Sequence, residues 1–200
     1  MKITHIFFDI GGVLLTNGWD HDSRKKAAEH FKLDWAELEH AHHLLFETWE
    51  IGKLTFEEYL QKAVFYKKRP FTKAAFQEFM FGESKPFPKM LALARRLKKK
   101  HKLKLVAVNN EAAELNLHRI RKFQLTESID TFISSCYVHL RKPDREIYRL
   151  AMQIAQAEAE EIIYIENTPL FIQIAQELGI KGILHKNYEE TEARLVQLLG

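Results

Sequence analysis

The sequence is poor in cysteine and lacks long apolar runs. Its 200 residues include a single cysteine, Cys136, which excludes an internal disulfide and fits a reducing, cytoplasmic setting. No apolar run approaches the roughly 20 residues of a membrane span, and we expect no signal peptide. The formal net charge of +3 is too small to indicate nucleic-acid binding by itself. We therefore expect neither a membrane nor a nucleic-acid partner; for its own assembly we expect a monomer or a weak homodimer.

The residues that are present indicate one α/β domain with an insertion. Hydrophobic residues make up 46% of the chain and charged residues 28%, which is ordinary for a globular protein. A buried strand is predicted at 6–8. From about residue 86 onward strands alternate with helices, a pattern typical of a parallel sheet with helices on both faces. The further predicted strands cover 103–108, 131–135, 162–165 and 182–185.

Residues 16–83 contain helical patterns and no convincing strand. Two segments, 34–37 and 55–58, have the residue spacing of a capping box at the start of a helix. We interpret this stretch as a small helical bundle inserted after the first strand. The prediction therefore divides the chain into a core domain of residues 1–15 and 84–200 and an inserted domain of residues 16–83.

Two polar clusters receive structural interpretations. In the triplet His40, His42 and His43, only His40 and His43 share a helix face. We interpret the three as surface or cap residues and not as a metal cluster. The basic run at 95–104 has apolar residues on the opposite face of the same helix. It is interpreted as a solvated helix face and not as a nucleic-acid patch.

Polar residues and glycines follow the predicted strands at the points where the strands end. They are Asp9, Gly11, Asn109, Asn110, Glu166 and Asn167, joined by Lys142 in the loop before a predicted helix. Because the carboxyl ends of parallel strands meet at one edge of a sheet, we expect these residues to converge on one pocket. Asp9 can act as a nucleophile or a metal ligand, and Lys142 supplies a fixed positive charge for an anion. The asparagines Asn109 and Asn110 can bind phosphate oxygens. Glu166 and Asn167 offer the hard oxygen ligands that suit Mg²⁺.

Four segments carry a resemblance to a known family. They are FFDIGGVLL, LVAVNNE, RKPDREIY and IIYIENTPLFIQIAQELGI, in this order along the chain. In these segments the sequence resembles the haloacid dehalogenase-like (HAD) superfamily, and the helical insertion, with ETWEIGKLTFEEYL, looks like the helical cap of that family. The resemblance implies a modified Rossmann-like core with a parallel sheet, and a four-helix-bundle-like cap inserted after strand one.

For function, the resemblance implies hydrolysis of a small phosphorylated metabolite through an aspartyl-phosphate on Asp9. Lys142 would hold the phosphoryl oxygens. Mg²⁺ would be bound by Asp9, the Gly11 carbonyl, and the pair Glu166 and Asn167. The cap would close over the substrate and exclude water.

Three positions depart from the pattern of the family's phosphatases. Gly11 stands where those enzymes have a second aspartate that acts as general acid and base, a role worth about 10²–10⁴-fold in rate. Asn109 stands at the usual serine or threonine, next to Asn110, which matches the family's asparagine. Asn167 supplies a neutral amide where an acidic ligand is usual, so we expect weakened Mg²⁺ binding.

These departures leave three hypotheses open. The first is a slow phosphatase of small phosphorylated metabolites. The second is a metal-independent dehalogenase-like hydrolase, since haloacid dehalogenases also lack the second aspartate. Those enzymes use an arginine of the cap, and the candidates here, Arg24 and Arg69, have no supporting motif around them. The third is a catalytically degenerate protein of this fold with a binding or regulatory role.

Overall fold

The computed structural model describes residues 2–200 and has a parallel five-stranded sheet at its centre. The strands are β1 (His5–Phe8), β2 (Lys104–Asn109), β3 (Thr131–Ser134), β4 (Ile162–Glu166) and β5 (Lys181–Leu184). Their order across the sheet is β3-β2-β1-β4-β5, and every neighbouring pair is parallel. The predicted α/β fold is confirmed. The carboxyl end of β1 lies between those of β2 and β4.

Ten α-helices are described within residues 2–200. The insertion contains α1 (His21–Phe31), α2 (Trp35–Glu50), α3 (Phe56–Ala63) and α4 (Lys73–Gly82). The rest are α5 (Pro88–His101), α6 (Ala113–Lys122), α7 (Ser135–Val138), α8 (Arg145–Ala155), α9 (Pro169–Glu177) and α10 (Tyr188–Leu199). The short helix α7 is not predicted by the sequence analysis. None of the helices in this part of the chain is long and apolar enough to cross a membrane.

The sheet is buried on both faces because alternate residues of a strand point to opposite sides. Ile6 and Phe8 of β1 pack in one apolar cluster with α5 and α10, and Phe7 packs in a second cluster with α8 and α9. All three side chains are fully buried. β1 is thus held from both sides, which fixes the position of Asp9, the residue that follows it.

The insertion has an apolar core of its own, rich in aromatic side chains. Trp49, Tyr59 and Phe76 are buried in it, and Leu115 of α6 belongs to the same cluster. The capping box predicted at 55–58 is present at the start of α3. The helical cap therefore packs against the core domain through α6.

The two segments that connect the insertion to the core run side by side. Thr16 donates its amide to the Lys85 carbonyl at 2.8 Å, and Phe87 donates to the Leu14 carbonyl at 2.9 Å. The chain thus leaves and re-enters the core at one place, close to the turn after β1. The sequence analysis puts the domain boundaries in these segments, and the division itself stays a prediction.

His42 is buried, against its interpretation as a surface residue. It lies on the same side of α2 as Leu38, Leu45 and Trp49, and its Nδ1 is 3.0 Å from the Tyr59 hydroxyl. Burial lowers the pKa of His42 to about 3, so the ring is neutral. The helical spacing of the three apolar neighbours is the signal that indicates a buried position.

Candidate active site

Asp9 follows β1 directly and lies beside two of the residues expected to converge with it. Its amide donates to the Ile165 carbonyl of β4 at 2.9 Å, one residue beyond the end of β1. Lys142 Nζ lies 3.0 Å from Asp9 Oδ1 and 2.7 Å from Glu166 Oε2. The structure therefore brings these three charged groups together at the carboxyl edge of the sheet.

Lys142 is held in position through both its backbone and its ammonium group. The Asn110 side chain donates to the Lys142 carbonyl and accepts from the Lys142 amide, both at 2.8 Å. The ammonium group also lies 3.1 Å from the Tyr164 hydroxyl and 5.1 Å from the centre of the Phe171 ring. Asn110 thus bonds Lys142 through both its amide nitrogen and its amide oxygen. Asn110 also lines the cleft, and its role as a phosphate ligand stays a prediction.

Asn109 is not brought to the site. Its side chain is buried, donates to Asn116 Oδ1 at 3.1 Å and accepts from Ser134 Oγ at 2.9 Å. The prediction that Asn109 binds phosphate is therefore wrong. Asn109 is the last residue of β2 and Asn110 follows it, and successive side chains of a strand point to opposite faces.

The charges of the site shift the pKa values of Asp9 and Lys142. Burial raises the pKa of Asp9 to about 7; the Lys142 ammonium opposes this shift and the Glu166 carboxylate reinforces it. Burial alone would lower the pKa of Lys142, but the two carboxylates outweigh it and raise that pKa. Lys142 is therefore a permanent cation, while Asp9 exchanges its proton near neutral pH.

A glycine turn brings the backbone after β1 against Asn167. Gly12 has a φ of +72°, and a Cβ at this position would lie 2.3 Å from the Asn167 amide. A side chain is excluded by the backbone conformation and by the space, so glycine is required here. The turn leaves the Gly11 carbonyl next to the Asn167 side chain, as the predicted metal site requires.

The Asn167 amide faces Glu166 and Gly11 with one of its two polar atoms. With the nitrogen in that place, it donates to Glu166 Oε1 at 2.9 Å and to the Gly11 carbonyl at 3.1 Å. With the amide oxygen facing them instead, the oxygens of Asn167, Glu166 and Gly11 lie together with no hydrogen between them. Oxygen atoms of this kind are the ligands that a hard cation prefers. Asp9, the Gly11 carbonyl and Asn167 therefore fit Mg²⁺ by donor type. Residues 2–200 contain no group of three or more His, Cys, Asp or Glu side chains placed to hold a metal ion.

Glu166 is occupied by protein partners at both of its oxygens. It is fully buried, and its Oε2 accepts from Lys142 Nζ and, at 2.6 Å, from the Tyr164 hydroxyl. Its Oε1 accepts from the Thr168 amide at 2.9 Å. The structure thus places Glu166 as the buried counter-charge of Lys142, and its role as a metal ligand stays a prediction.

A cleft of about 300 Å³ lies between the core and the cap, with Asp9 in its wall. The core contributes Lys142 and Asn167 to the lining, and the cap side contributes Trp19 and Trp49. This volume is at the small end of the range for ligand pockets. The cleft therefore suits a small molecule bound between the sheet edge and the helical cap.

Two ion pairs that the sequence analysis misses also line this cleft; the pair of Arg119 and Glu111 is buried and the pair of Arg141 and Glu50 is partly exposed. Arg141 Nη2 lies 2.8 Å from Glu50 Oε2, and Arg119 pairs with Glu111. Burial raises the pKa of both carboxyl groups, with the paired arginine opposing the shift in each case. Arg141 precedes Lys142 in the segment RKPDREIY, and Glu111 follows Asn110 in the segment LVAVNNE. This adjacency to predicted site residues is the one sequence feature that indicates a position near the cleft.

Neither cap arginine considered for dehalogenase chemistry is in the described lining of the cleft. Arg24 is buried, bonds the Glu39 carboxylate and donates to the Trp19 carbonyl at 2.6 Å. Arg69 donates to the Val64 carbonyl at 2.7 Å. Both guanidinium groups are thus engaged within the cap.

Sequence comparison relates the chain to one family. The sequence profile of the family described as haloacid dehalogenase-like hydrolase matches residues 6–184. Bifunctional epoxide hydrolase 2 from Sus scrofa is 27% identical over 114 residues, and the same-named protein from Rattus norvegicus is 24% identical over 114 residues. Each match covers 56% of this chain, but only 20% of the first protein and 21% of the second. The chain thus spans about a fifth of the length of these curated relatives.

Solved structures share the fold at low sequence identity. The HAD family enzyme bt-2542 from Bacteroides thetaiotaomicron gives a TM-score of 0.81 at 18% identity, over 93% of this chain and 95% of that chain. The same wild-type protein has been solved in complex with magnesium and inorganic phosphate. L-2-haloacid dehalogenase from Xanthobacter autotrophicus gives a TM-score of 0.64 at 18% identity, over 98% of this chain and 83% of that chain. The fold and the profile match over most of the sequence together show that this chain belongs to the haloacid dehalogenase-like hydrolase family.

Proposed function

We propose that this protein is a phosphomonoester hydrolase that acts on a small phosphorylated metabolite through Asp9. The observation that carries the proposal is the contact between Asp9 and the buried, permanently charged Lys142 in the wall of the cleft. A carboxylate that attacks a phosphate ester needs a fixed cation beside it, because two anions otherwise repel each other. Lys142 meets this need without being exposed to water.

The proposed reaction has two steps, because Asp9 forms a covalent intermediate with the phosphoryl group. In the first, the Asp9 carboxylate attacks phosphorus, an Asp9 O–P bond forms, and the bond to the leaving oxygen breaks. In the second, water attacks phosphorus and the bond to Asp9 breaks, which releases phosphate. Lys142 stays charged throughout. Asn110 and Glu166 hold it in place, so its charge needs no rearrangement as the reaction proceeds.

Mg²⁺ is the proposed cofactor. Asp9, the Gly11 carbonyl and Asn167 would hold it through oxygen atoms, and Glu166 completes the predicted set. When bound, the ion would supply positive charge that neutralises the phosphoryl group. The magnesium and phosphate in the bt-2542 complex support this assignment. The neutral amide of Asn167 removes one negative charge from the set, so we expect weaker binding than with two carboxylates in this position.

The test is phosphate release from a panel of small phosphorylated metabolites, with and without Mg²⁺, by the wild type and by Asp9→Asn. We expect the variant to lose turnover by several orders of magnitude, because the amide cannot attack phosphorus. Thermal unfolding should show that it stays folded. The matched control is Asp22→Asn, an exposed aspartate at the start of α1, which should keep full turnover. Turnover retained by Asp9→Asn would remove Asp9 as the nucleophile.

The same assay separates the two alternative functions. Metal-independent halide release from haloacids would indicate dehalogenase-like hydrolysis; the engagement of Arg24 and Arg69 within the cap disfavours this reading. Wild-type protein that releases neither phosphate nor halide would contradict the proposed function. That outcome would favour a catalytically degenerate protein with a binding or regulatory role.

A further inference from the structure

The side of the cleft next to Gly11 contains an acid that Gly11 itself cannot supply. A Cβ built on Gly11 would lie 3.2 Å from Asn17 Oδ1 and 3.9 Å from Arg119 Nη1. A carboxylate at this position would thus reach towards the Arg119 guanidinium. That guanidinium is in contact with the Glu111 carboxylate. Arg119, the partner of Glu111, therefore adjoins the space in which a second motif-one aspartate would stand.

Glu111 is held in the wall of the cleft by its own loop and by α6. It follows Asn110 directly, and its amide donates to Ser135 Oγ at 2.9 Å. Arg119 contacts Glu111 and donates to the Thr16 carbonyl. Both side chains are nearly fully buried, and both line the cleft that contains Asp9. The carboxyl group is thus fixed in the same cavity as the nucleophile.

A second glycine, Gly18, lies close against this carboxylate. A Cβ on Gly18 would lie 3.3 Å from Glu111 Oε2 and 3.0 Å from Arg119 Nη1. Gly18 lines the cleft together with Gly11. The absence of a side chain at Gly18 thus lets the backbone pass directly beside the pair of Glu111 and Arg119.

We propose that Glu111 is the general acid and base of this enzyme, in place of the aspartate missing at Gly11; the inference rests on the proposed function. Neutral Glu111 donates its proton to the leaving oxygen while the bond from that oxygen to phosphorus breaks, so the alcohol departs uncharged. The Glu111 carboxylate then accepts a proton from the water that attacks the phosphoryl group on Asp9. Each cycle restores the neutral acid.

The groups around Glu111 suit a carboxyl group that both holds and releases a proton. Burial raises the pKa of Glu111; Arg119 opposes the shift and the Glu50 carboxylate reinforces it. Arg119 is a positioning residue, because it orients the carboxyl group and stabilises it after the proton has left. Burial thus favours the neutral form of Glu111, whereas the Arg119 guanidinium favours its charged form.

Glu50 is the matched comparison for this assignment. It too is a carboxylate in the lining of the cleft and it accepts from Arg141 Nε at 3.0 Å, although its side chain is 24% exposed. The two pairs differ in their arginines, because Arg119 Nη1 lies 3.9 Å from a Cβ built on Gly11 and Arg141 is not among the atoms nearest to it. If a place in the lining of the cleft beside an arginine were sufficient, Glu50 and Glu111 would behave alike.

The experiment compares p-nitrophenyl phosphate with phenyl phosphate, which has a similar shape but a far more basic leaving oxygen. A general acid matters most for the basic leaving group. We expect Glu111→Gln to lower kcat/KM about 10²-fold or more on phenyl phosphate and less than about tenfold on p-nitrophenyl phosphate. The ratio of the two values does not depend on the folded fraction of the variant. We expect Glu50→Gln to leave this ratio at the wild-type value.

A rescue variant tests the same step from the other side. Gly11→Asp in the Glu111→Gln background should restore the wild-type ratio, because it supplies an acid at the neighbouring position. If Glu111→Gln does not fold, Glu111→Asp serves instead. It keeps the carboxyl group on a side chain one methylene shorter, and it should give an intermediate ratio. An unchanged ratio in the glutamine and aspartate variants at position 111, or a changed ratio in Glu50→Gln alone, overturns the assignment to Glu111. Wild-type protein that hydrolyses neither ester overturns the proposed function and this inference together.

Discussion

Lys142 shows at the scale of a single residue how the site balances its charges. Its side chain is 1% exposed and is surrounded by the carboxylates of Asp9 and Glu166 and the hydroxyl of Tyr164. A charge is costly to bury unless it is paired and hydrogen-bonded. The pairing works in both directions, because Glu166 is itself fully buried and depends on the ammonium group. The same contacts that stabilise Lys142 also hold it next to the nucleophile.

Replacing Lys142 by methionine should therefore destabilise the fold as well as abolish turnover. We expect a loss of about 3–5 kcal/mol in the free energy of unfolding, because two carboxylates remain in a buried site without their cation. Urea denaturation measures this loss. The control is Lys98→Met, which removes the partly exposed pair with Asp130 and should cost much less. Equal losses in both variants would contradict the importance of the buried charges.

The single cysteine offers a second test at the residue scale. Burial raises the pKa of Cys136 to about 12, and only the thiolate reacts with alkylating reagents. Alkylation by iodoacetamide at pH 8 should therefore be slow in the folded protein and fast in urea. Between pH 8 and pH 10 the rate in the folded protein should rise about tenfold per pH unit. A plateau near pH 9, with the fold retained by circular dichroism, would show an ordinary thiol.

At the scale of elements, the end of β4 and the turn after β1 form one unit. The turn depends on glycine at position 12, and Asn167 fills the space that a side chain there would occupy. The Asn167 amide then connects Glu166 to the Gly11 carbonyl. An amide can face these oxygens with its nitrogen as a hydrogen-bond donor or with its oxygen as a metal ligand. A neutral side chain at this position is therefore compatible with the site in both states.

Asn167→Asp should make this unit depend on a cation. Without metal, the new carboxylate faces two oxygens, so we expect a loss of about 1–3 kcal/mol of stability in EDTA. With Mg²⁺, the added charge should tighten binding, which calorimetric titration and the Mg²⁺-induced rise in melting temperature both measure. Asn187→Asp, at the start of α10, is the control and should show no change in Mg²⁺ response. Unchanged or weaker Mg²⁺ affinity in the N167D protein would show that this position is not a ligand.

In the whole molecule, the cap contacts the core through the last residue of α2 and the two residues that follow it. Ser135 Oγ donates to the Glu50 carbonyl at 2.6 Å, and His139 Nδ1 lies 2.7 Å from the Ile51 carbonyl. Gly52 comes closest, since a Cβ there would lie 2.1 Å from the Cys136 carbonyl oxygen. The cleft lies between the core and the cap, and these contacts join the core and the cap beside it.

Gly52→Ala should disturb this contact without touching the residues of the site. Gly52 has a φ of +71°, and the obstacle to a Cβ is backbone, which cannot move aside cheaply. We expect a loss of about 2 kcal/mol or more in stability to urea and faster alkylation of Cys136. Gly82→Ala is the matched control, because Gly82 ends α4 with open space around it; it should be neutral or stabilising by up to about 1 kcal/mol. Equal stability of the two variants would contradict a tight contact at Gly52.

Local patterns in the sequence predict the framework because they reflect which faces of an element are buried. The apolar run before Asp9 corresponds to β1, and the alternation of strands and helices corresponds to the parallel sheet. The order of the strand ends then predicts that Asp9 and Lys142 meet, although they are far apart in the chain. His42 is the exception in the cap. The spacing of the three histidines predicts a surface residue, whereas the spacing of its apolar neighbours on α2 corresponds to its buried position.

Residue patterns along the chain thus suffice to predict the fold class, the inserted helices and the chemical character of the sheet edge. The partner of each polar group follows instead from how the elements pack in three dimensions. Asn109 and Asn110 are adjacent and chemically identical, yet one is buried against Asn116 and the other supports Lys142. The contact of Glu111 with Arg119 beside Gly11 has no counterpart in any local pattern. Periodicity reports the burial of a whole face, whereas a hydrogen bond or an ion pair depends on the direction of single side chains brought together by packing.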